Sequence, residues 1–394
     1  MISINEAILL IEKNVIPSQI CTKKLEEAGG FYLAQNIYSP IDMPLYRQSA
    51  MDGYAVKFKD IEEELFLKCT KIIAAGNTNK IELENKEAIR IFTGAKIPEG
   101  ADTVVMQEKC KIENDCIYFE KSKIKFGENI RTIASQNKKG DLLLEKGSFL
   151  NAGPLGFLAS VGIENIEVFS CPKIAILVTG DELISANETL KEGKVYESNS
   201  IVIKEILKNI PAEKIAIFKA KDSENEILET INLALNDADI LLITGGVSVG
   251  DYDFVHSSLE KTGVKKIFHK VKQKPGKPIF VGTKNHKIFV GLPGNPASVL
   301  TCFYLYGLHI IDLLSQQSNS NHWIKTTVEQ SLAKNVGLTH FLKGYYDGHT
   351  VTPLHAQESF KLSSFSEANC LIKIDEDVTN CEKGSEVSIY LLPK

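Results

Sequence analysis

Residues that suit the binding of an oxyanion cluster in four glycine-rich turns between positions 173 and 315. Each turn follows an apolar run rich in β-branched residues, which is typical of a buried parallel strand. The turns read TGDE at 179–182, GGVSVGDYD at 245–253, KPGKP at 274–278 and LPGNP at 292–296. They supply bare backbone N–H groups, closely spaced carboxylates and two lysines stiffened by prolines. This combination indicates a phosphorylated or oxyanionic ligand together with a divalent metal.

The position of the turns supports this interpretation, although each motif alone has a plainer explanation. Asn295 followed by Pro296 would start any helix, and a pair of glycines such as 245–246 often only turns the chain. A single acid such as Asp222 is usually solvated. In an open parallel sheet, however, the loops at the carboxyl ends of the strands form the ligand crevice, so we expect these groups to converge there.

Changes in the spacing of apolar residues divide the chain into four parts of a multidomain α/β and β fold. We predict a small linking domain from residues 1–44 and 138–172, an inserted β-rich domain over 45–137, an α/β domain over 173–315 and a C-terminal β domain over 316–394. Helical spacing predicts helices at 3–13, 19–35, 198–210, 224–237, 254–262 and 297–314.

The composition excludes several classes of protein. The net charge of −5 argues against sequence-independent nucleic-acid binding, which needs a basic surface. No apolar stretch approaches a membrane span, and the first residues lack the basic-then-apolar pattern of a signal peptide. The eight cysteines form no CxxC pair, which favours free thiols in a reducing compartment. We therefore expect a cytoplasmic protein without nucleic-acid or membrane partners.

Seven motifs together resemble the MoeA family of molybdopterin molybdenumtransferases, which is related to the C-terminal domain of gephyrin. Their order and spacing match that family over essentially the whole chain. The motifs are SAMDGYA at 49–55, FTGAKIPEGADTVVMQE at 92–108, TGDEL at 179–183, GGVSVGDYD at 245–253, PGKP at 275–278, LPGNP at 292–296 and SFSEANCL at 364–371. Each is weak alone, and the joint signal is specific.

The resemblance implies a three-layer α/β molybdopterin-binding domain, an inserted β-rich domain, a small linking domain and a C-terminal β-barrel-like domain. It implies a homodimeric transferase of molybdenum cofactor biosynthesis. Such an enzyme inserts molybdenum from molybdate into adenylylated molybdopterin, with Mg²⁺-dependent release of AMP. Transient contacts with the molybdopterin adenylyltransferase and with apo-molybdoenzymes are implied as partners.

The resemblance also implies roles for individual residues. Catalytic roles fall on Asp52, Thr93, Asp222, Asp253, Lys274 and Lys277, with Asp222 and Asp253 as the magnesium ligands. Substrate contacts fall on Thr179, Gly180, Glu182, Asn199, Gly245, Gly246, Ser248, Gly250, Asp251, Pro278, Asn295, Ser298, Lys343 and Ser366. Lys274, Lys277 and Ser298 would hold molybdate, and the turns at 179–182 and 245–250 would hold the pterin and its phosphate. Asp52 and Thr93 would reach the cleft from the partner subunit.

Two departures from the family pattern leave alternatives open. Ala134-Ser135-Gln136 stands where the family has an acidic pair, and the segment 337–343 offers Lys343 where arginines are usual. A lysine is a point charge and an arginine a planar fork, so a specialised paralogue with a preference for tungstate is one alternative. A CinA-like nucleotide hydrolase and a non-enzymatic scaffold of the gephyrin kind are the others.

Overall fold

The computed structural model describes the chain except residues 78, 209, 211, 247–253, 317–321 and 394. Two compact units result from the distribution of contacts. The first contains residues 1–34, 147–151 and 165–394, and the second contains residues 35–146 and 152–164. The expected mixture of an α/β domain with β domains is confirmed, and the four sequence-based domain boundaries stay predictions.

A six-stranded sheet with four parallel strands forms the centre of the first unit. Its strands, in spatial order, are Lys214–Ala220, Lys173–Thr179, Ile240–Thr244, Lys287–Leu292, Phe280–Lys284 and Lys265–His269. The first four run parallel, and the last two pair antiparallel to their neighbours. Every residue of Ile240–Thr244 is buried, as expected for a strand that is covered on both faces.

Helices cover both faces of this sheet and make the domain three-layered. They are Ile4–Asn14, Asn199–Leu207, Glu224–Leu235, Phe254–Lys261 and the continuous segment of Pro296–Cys302, the π-turn Phe303–Gly307 and Leu308–Leu314. Separate apolar clusters pack on the two faces. The helices expected at 3–13, 198–210, 224–237, 254–262 and 297–314 are confirmed within a few residues at their ends. The expectation that no apolar stretch approaches a membrane span is wrong for Pro296–Leu314, which is 19 residues long and apolar enough to cross a membrane by length and composition. Because 83% of its apolar window is buried inside the protein, this helix packs as a core helix here.

The helix expected at 19–35 is wrong. Ile20–Lys24 is instead a strand that pairs antiparallel with Asn165–Phe169, and a single 3-10 turn follows at Leu25–Glu27. Exposed and half-buried residues alternate along Ile20–Lys24, which is the period of a strand. Pairing with a segment more than a hundred residues away therefore outweighs the local helical spacing.

The C-terminal part of the first unit is a closed β structure. Its main strands are Trp323–Val328, Thr339–Tyr346, Thr350–Pro353, Cys370–Ile374 and Glu386–Leu391, and a short pair joins Leu332–Ala333 to Asn380–Cys381. The strand Thr339–Tyr346 pairs with both Thr350–Pro353 and Cys370–Ile374, so the sheet closes into a barrel. The short strand Gln273–Lys274 of the α/β domain adds in parallel to Thr339–Tyr346. The barrel thereby braces the segment that carries the lysines.

The second unit is a β-rich domain with its own core. Its six-stranded sheet contains, in spatial order, Thr103–Met106, Gly53–Val56, Glu87–Ile91, Leu67–Ile73, Cys116–Phe119 and Cys110–Glu113. Short pairs form between Gln48–Ser49 and Ile130–Arg131 and between Ile37–Tyr38 and Leu142–Leu144, and the helices are Phe58–Glu63 and Ala152–Ser160. Two apolar clusters pack within the unit.

Candidate functional site

A cavity of about 880 Å³ lies at the carboxyl ends of the parallel strands in the first unit. Twelve of the residues expected to act at the site line it: Thr179, Gly180, Glu182, Asn199, Asp222, Gly245, Gly246, Lys274, Lys277, Pro278, Asn295 and Ser298. The parallel sheet explains the convergence of the turns at 179–182, 245–246 and 292–296, because each follows one of its parallel strands and leaves the same edge of the sheet. The expectation that the turn at 274–278 also follows a buried parallel strand is wrong, since the strand before it, Gln273–Lys274, pairs with the barrel strand Thr339–Tyr346. The expectation that these groups lie together is therefore met by the geometry, while the role of each stays a prediction.

Two turns approach each other at Gly245 so closely that only glycine fits there. Gly245 has a φ of +92°, and a Cβ there would lie 2.6 Å from the Thr179 carbonyl oxygen. Gly180 has a φ of +145°, and a Cβ there would lie 2.8 Å from both carboxylate oxygens of Glu182. Gly245 therefore favours glycine both by backbone conformation and by space, whereas Gly180 favours it by backbone conformation, because the Glu182 carboxylate ends a flexible side chain. The result is a wall of bare backbone that a ligand can approach closely.

The acidic side of the cavity joins the ends of two neighbouring strands. The Asp181 N–H donates to Asp222 Oδ2 at 3.2 Å, and the Asp222 N–H donates to Asp181 Oδ1 at 3.3 Å. Lys194 Nζ donates to the Asp181 carbonyl oxygen at 2.7 Å. Asp222 and Glu182 both line the cavity. This side therefore presents two carboxylates, which are ligands that suit a hard divalent cation.

These carboxylates fit magnesium in chemical type and fall short of a complete ligand set. Within the described residues no group of three or more histidines, cysteines or acids is arranged to hold a metal. Of the two expected magnesium ligands, Asp222 lies on the cavity wall and Asp253 lies outside the described residues. Ser248, Gly250 and Asp251, which we expected to contact substrate, also lie outside them.

The basic side of the cavity is formed by Lys274 and Lys277 together with the start of the helix at Pro296. Ser298 in the first helical turn is buried. The Asn295 side-chain amide donates to Ser359 Oγ at 3.0 Å, and the Ala297 N–H donates to the Ser359 carbonyl oxygen at 3.1 Å. A loop of the C-terminal barrel thus takes up one of the first helical N–H groups.

Asn199 presents a polar atom that the described part of the chain leaves unpaired. Its side chain is 7% exposed, and its Nδ2 donates to the Gly294 carbonyl oxygen at 3.0 Å. Among the described residues its buried Oδ1 has no hydrogen-bond partner, and the same holds for Thr244 Oγ1. Because buried polar atoms are nearly always paired in folded proteins, a ligand donor is expected opposite Asn199. Asn199 therefore marks a place where the cavity can select its ligand.

Asp52 and Thr93 form a small acidic site of their own in the second unit. The Thr93 N–H and Oγ1 both donate to Asp52 Oδ1 at 2.8 Å. These two hydrogen bonds hold the pKa of the Asp52 carboxyl below its usual value, with a smaller contribution from the Arg90 charge. The two hydrogen bonds thus keep the Asp52 carboxylate ionised and fix its orientation. Its expected access to the cleft of a partner subunit stays a prediction.

Lys343 and Ser366 do not line the cavity. Lys343 is 3% exposed, and its ammonium donates to the carbonyl oxygens of Ala356 at 2.6 Å, Lys361 at 3.2 Å and Glu358 at 3.4 Å. Burial lowers its pKa. The exposed Ser366 hydroxyl donates to the nearby Ser363 carbonyl oxygen. Lys343 therefore braces a loop in this structure, and the expected substrate contact of either residue stays a prediction.

Several lining residues escaped the sequence analysis. They come from the barrel, namely Leu338, Gln357, Ser359 and Phe360, and from the α/β domain, namely Leu183, Val195, Tyr196, Glu197, Ser198 and Gln273. Gln273 could have been suspected, since it directly precedes Lys274. The loop residues of the barrel have no glycine or charge pattern that points to a site. Only closure of the barrel brings them to the α/β domain.

Sequence profiles of known families match nearly the whole chain. The MoeA N-terminal region (domain I and II) matches residues 2–162. The profile described as "probable molybdopterin binding domain" matches residues 175–312, and the MoeA C-terminal region (domain IV) matches residues 325–392. The second match contains the cavity turns at 179–182 and 292–296.

Individual relatives and solved structures are similar along their full length. The molybdopterin molybdenumtransferase of Haemophilus influenzae is 35% identical over 390 residues, covering 96% of each chain. That of a Nostoc species is 34% identical over 383 residues, covering 93% of this chain and 87% of the relative. The crystal structure of a molybdopterin biosynthesis MoeA protein from Pyrococcus horikoshii has a TM-score of 0.84 at 28% identity, with both chains fully covered.

Proposed function

The chain belongs to the MoeA family of molybdopterin molybdenumtransferases, and from this we propose that its α/β cavity brings molybdate together with adenylylated molybdopterin. As a member of that family it is a transferase of molybdenum cofactor biosynthesis. The observation that carries the proposal is one cavity with a basic side at Lys274 and Lys277 and an acidic side at Glu182 and Asp222. A basic side suits a metal oxyanion, and an acidic side suits the divalent cation that would accompany the phosphate of the pterin.

The basic side suits the oxyanion. Lys274 and Lys277 flank a proline–glycine pair, and the fixed φ of the proline lowers the backbone entropy that is lost when both lysines face one tetrahedral anion. Ser298 lines the same part of the cavity and can donate a hydroxyl hydrogen bond. Charge-assisted hydrogen bonds of this kind are about twice as strong as neutral ones. We assign molybdate to this side.

The glycine turns and Asn199 suit the pterin and its phosphate. The backbone at Gly180 and Gly245 gives a phosphate close access to peptide N–H groups. The unpaired Oδ1 of Asn199 accepts a hydrogen bond from an N–H donor, and a pterin ring carries several. Mg²⁺, when bound at Asp222 and Asp253, would neutralise charge on the adenylate phosphate and favour release of AMP. Asp222 is held in place by the Asp181 N–H for this purpose.

We propose further that the active enzyme is a homodimer of the cytoplasm. Asp52, with its lowered pKa, is the group that a second subunit would bring to the cleft. All eight cysteines are free, which agrees with a reducing compartment. The molybdopterin adenylyltransferase would supply the substrate and apo-molybdoenzymes would receive the product.

The proposal is tested by adding adenylylated molybdopterin, molybdate and Mg²⁺ to the purified protein. AMP release should depend on molybdate, and the product should activate an apo-molybdoenzyme. A parallel titration with tungstate tests the alternative of a specialised paralogue. An enzyme that prefers tungstate would release AMP at a tungstate concentration below the molybdate concentration that gives the same rate. Release of AMP without either oxyanion, or hydrolysis of unrelated nucleotides, would instead favour a nucleotide hydrolase.

A further inference from the structure

A fully buried polar cluster lies directly behind the segment 274–278, called here the lysine loop. Its members are Gln273, Cys302 and Tyr306, each with an exposure of 0%. Gln273 comes from the strand that precedes the loop, and the other two come from the segment that begins at Pro296. Burial of three polar side chains lowers the stability of the fold unless their hydrogen bonds are satisfied. The hydrogen bonds of this cluster therefore show what it supports.

Both ends of the Gln273 amide are used. Its Nε2 donates to the Pro275 carbonyl oxygen at 3.0 Å and contacts Cys302 Sγ at 3.5 Å, and its Oε1 accepts from the Tyr306 hydroxyl. A carbonyl oxygen only accepts, so the amide orientation is fixed. Burial raises the pKa of the Tyr306 hydroxyl, which keeps it a donor.

The cluster binds the carbonyl groups of both residues that lie between the two lysines. While Gln273 binds the Pro275 carbonyl, the Cys302 thiol donates to the Gly276 carbonyl oxygen at 3.5 Å. A Cβ on Gly276 would lie 2.2 Å from Cys302 Sγ, and the φ of Gly276 is +90°. The loop therefore sits on the cluster with no room for a side chain, and its shape depends on what lies behind it.

A π-turn in the helix presents Tyr306 to this cluster. The turn spans Phe303–Gly307, and a Cβ on Gly307 would lie 2.4 Å from the Phe303 ring. A π-turn contains one residue more than an α-turn, so the following side chains leave the helix in a different direction, and such turns often occur at functional sites. The same helical segment carries Ser298 into the cavity. This helical segment therefore contributes both to the cavity, through Ser298, and to the polar cluster behind it, through Cys302 and Tyr306.

We infer that Gln273, Cys302 and Tyr306 are positioning residues that fix the lysine loop in the conformation that binds the oxyanion. The inference rests on the proposed function, in which Lys274 and Lys277 bind molybdate. Two ammonium groups repel each other, so an unsupported loop would hold them apart in the absence of ligand. If the loop is already fixed in its binding conformation, no free energy is needed to bring the two ammonium groups together when molybdate binds, and the affinity for molybdate is higher.

The test compares Tyr306→Phe, Gln273→Met and the double variant, with Tyr304→Phe as the matched control. Tyr304 is also buried in this helical segment and lies near Tyr390. Molybdate affinity is measured by calorimetry, and KM and kcat are measured with molybdate as the varied substrate. We expect Tyr306→Phe, which removes one buried hydrogen bond, to bind molybdate about ten-fold more weakly. Gln273→Met also removes the bond to the Pro275 carbonyl, so its loss of affinity should be at least as large. At saturating molybdate, kcat should match the parent and Tyr304→Phe.

The double variant separates positioning from simple stability. Tyr306→Phe leaves Gln273 Oε1 without its donor, and Gln273→Met leaves the Tyr306 hydroxyl without its acceptor and the Pro275 carbonyl without its donor. The double change removes the Tyr306–Gln273 pair together and should recover part of the thermal stability. Positioning predicts that stability returns while molybdate affinity stays low. Recovery of affinity together with stability, or unchanged affinity in both single variants, would overturn the inference. If the parent itself binds no molybdate, the proposed function fails as well, so the parent titration distinguishes the two failures.

Discussion

Lys277 is the residue on which the oxyanion assignment depends most directly. It lines the cavity from the lysine loop, and its carbonyl oxygen accepts from the Val271 N–H at 3.0 Å, so the backbone is held whatever the side chain. We expect Lys277→Ala to weaken molybdate binding about 10- to 100-fold, the value of a charge-assisted hydrogen bond. Calorimetry measures the change. Lys272→Ala is the control, because Lys272 makes a surface ion pair with Glu376 and should bind molybdate like the parent. Equal losses in both variants would contradict the assignment.

The depressed pKa of Asp52 gives a second prediction for single residues. Thr93→Val removes the hydroxyl donor and leaves the N–H donor, so the pKa of Asp52 should rise part of the way toward its usual value. A carboxyl whose folded pKa is depressed stabilises the fold above its unfolded pKa, and this stabilisation is lost as the pH falls through the folded pKa. The loss begins near the unfolded pKa in both proteins, so the variant should have less of this stabilisation to lose and should lose it completely at a higher pH than the parent.

Carboxyl resonances followed by NMR titration provide the measurement. Asp347 is the internal reference, because backbone N–H groups of Thr350 and His349 lower its pKa and the variant leaves them intact. An unchanged Asp52 titration would show that the N–H bond alone sets the pKa.

At the scale of elements, the turns at strand ends are built on glycines that differ in what surrounds them. Gly245→Ala places a Cβ 2.6 Å from the Thr179 carbonyl oxygen in a backbone with φ of +92°. Gly263→Ala is the matched control, since φ is +78° there and no atom lies within 4 Å of the added Cβ. We expect about 1 kcal/mol of destabilisation at Gly263, from backbone strain alone. Gly245 should lose roughly 2 kcal/mol more. Urea unfolding measures the free energy of unfolding of both variants. An equal decrease in the two would show that the cavity turn accommodates the added Cβ without further destabilisation.

Local patterns were sufficient for the elements that form the cavity edge. A buried parallel strand leaves an unbroken apolar run, and the glycine after it shows where the chain must turn, so Thr179 and Gly245 could be placed together from sequence. The segment at 19–35 failed because its pairing partner, Asn165–Phe169, is distant in sequence.

The same reason hid the contribution of the barrel. Ser359 reaches Asn295 only after strands far apart in sequence have closed, and the buried ammonium of Lys343 holds the loop by backbone carbonyls that any sequence would offer. The polar cluster of Gln273 and Tyr306 likewise depends on the phase of a π-turn. None of these contacts produces a periodic pattern of apolar residues from which it could be predicted.

At the scale of the whole molecule, Asp52 and the cavity residues lie in different units, and this leads to a prediction about how subunits assemble. Asp52 belongs to the second unit, and Asp222 lines the cavity of the first. If each active site takes Asp52 from the partner subunit, Asp52→Ala and Asp222→Ala should complement each other in mixed dimers. One of the two sites in a mixed dimer then carries both changes and the other carries neither.

Random subunit exchange makes about half of the dimers mixed, and one of the two sites in each is intact, so about a quarter of the parental activity should return. Molybdate-dependent AMP release measures it, and each variant exchanged with itself is the control. Exchange is verified by mass labelling of one variant. Without complementation after verified exchange, Asp52 would act in the site of its own subunit or outside the site, because every mixed dimer would then carry one damaged residue in each cleft.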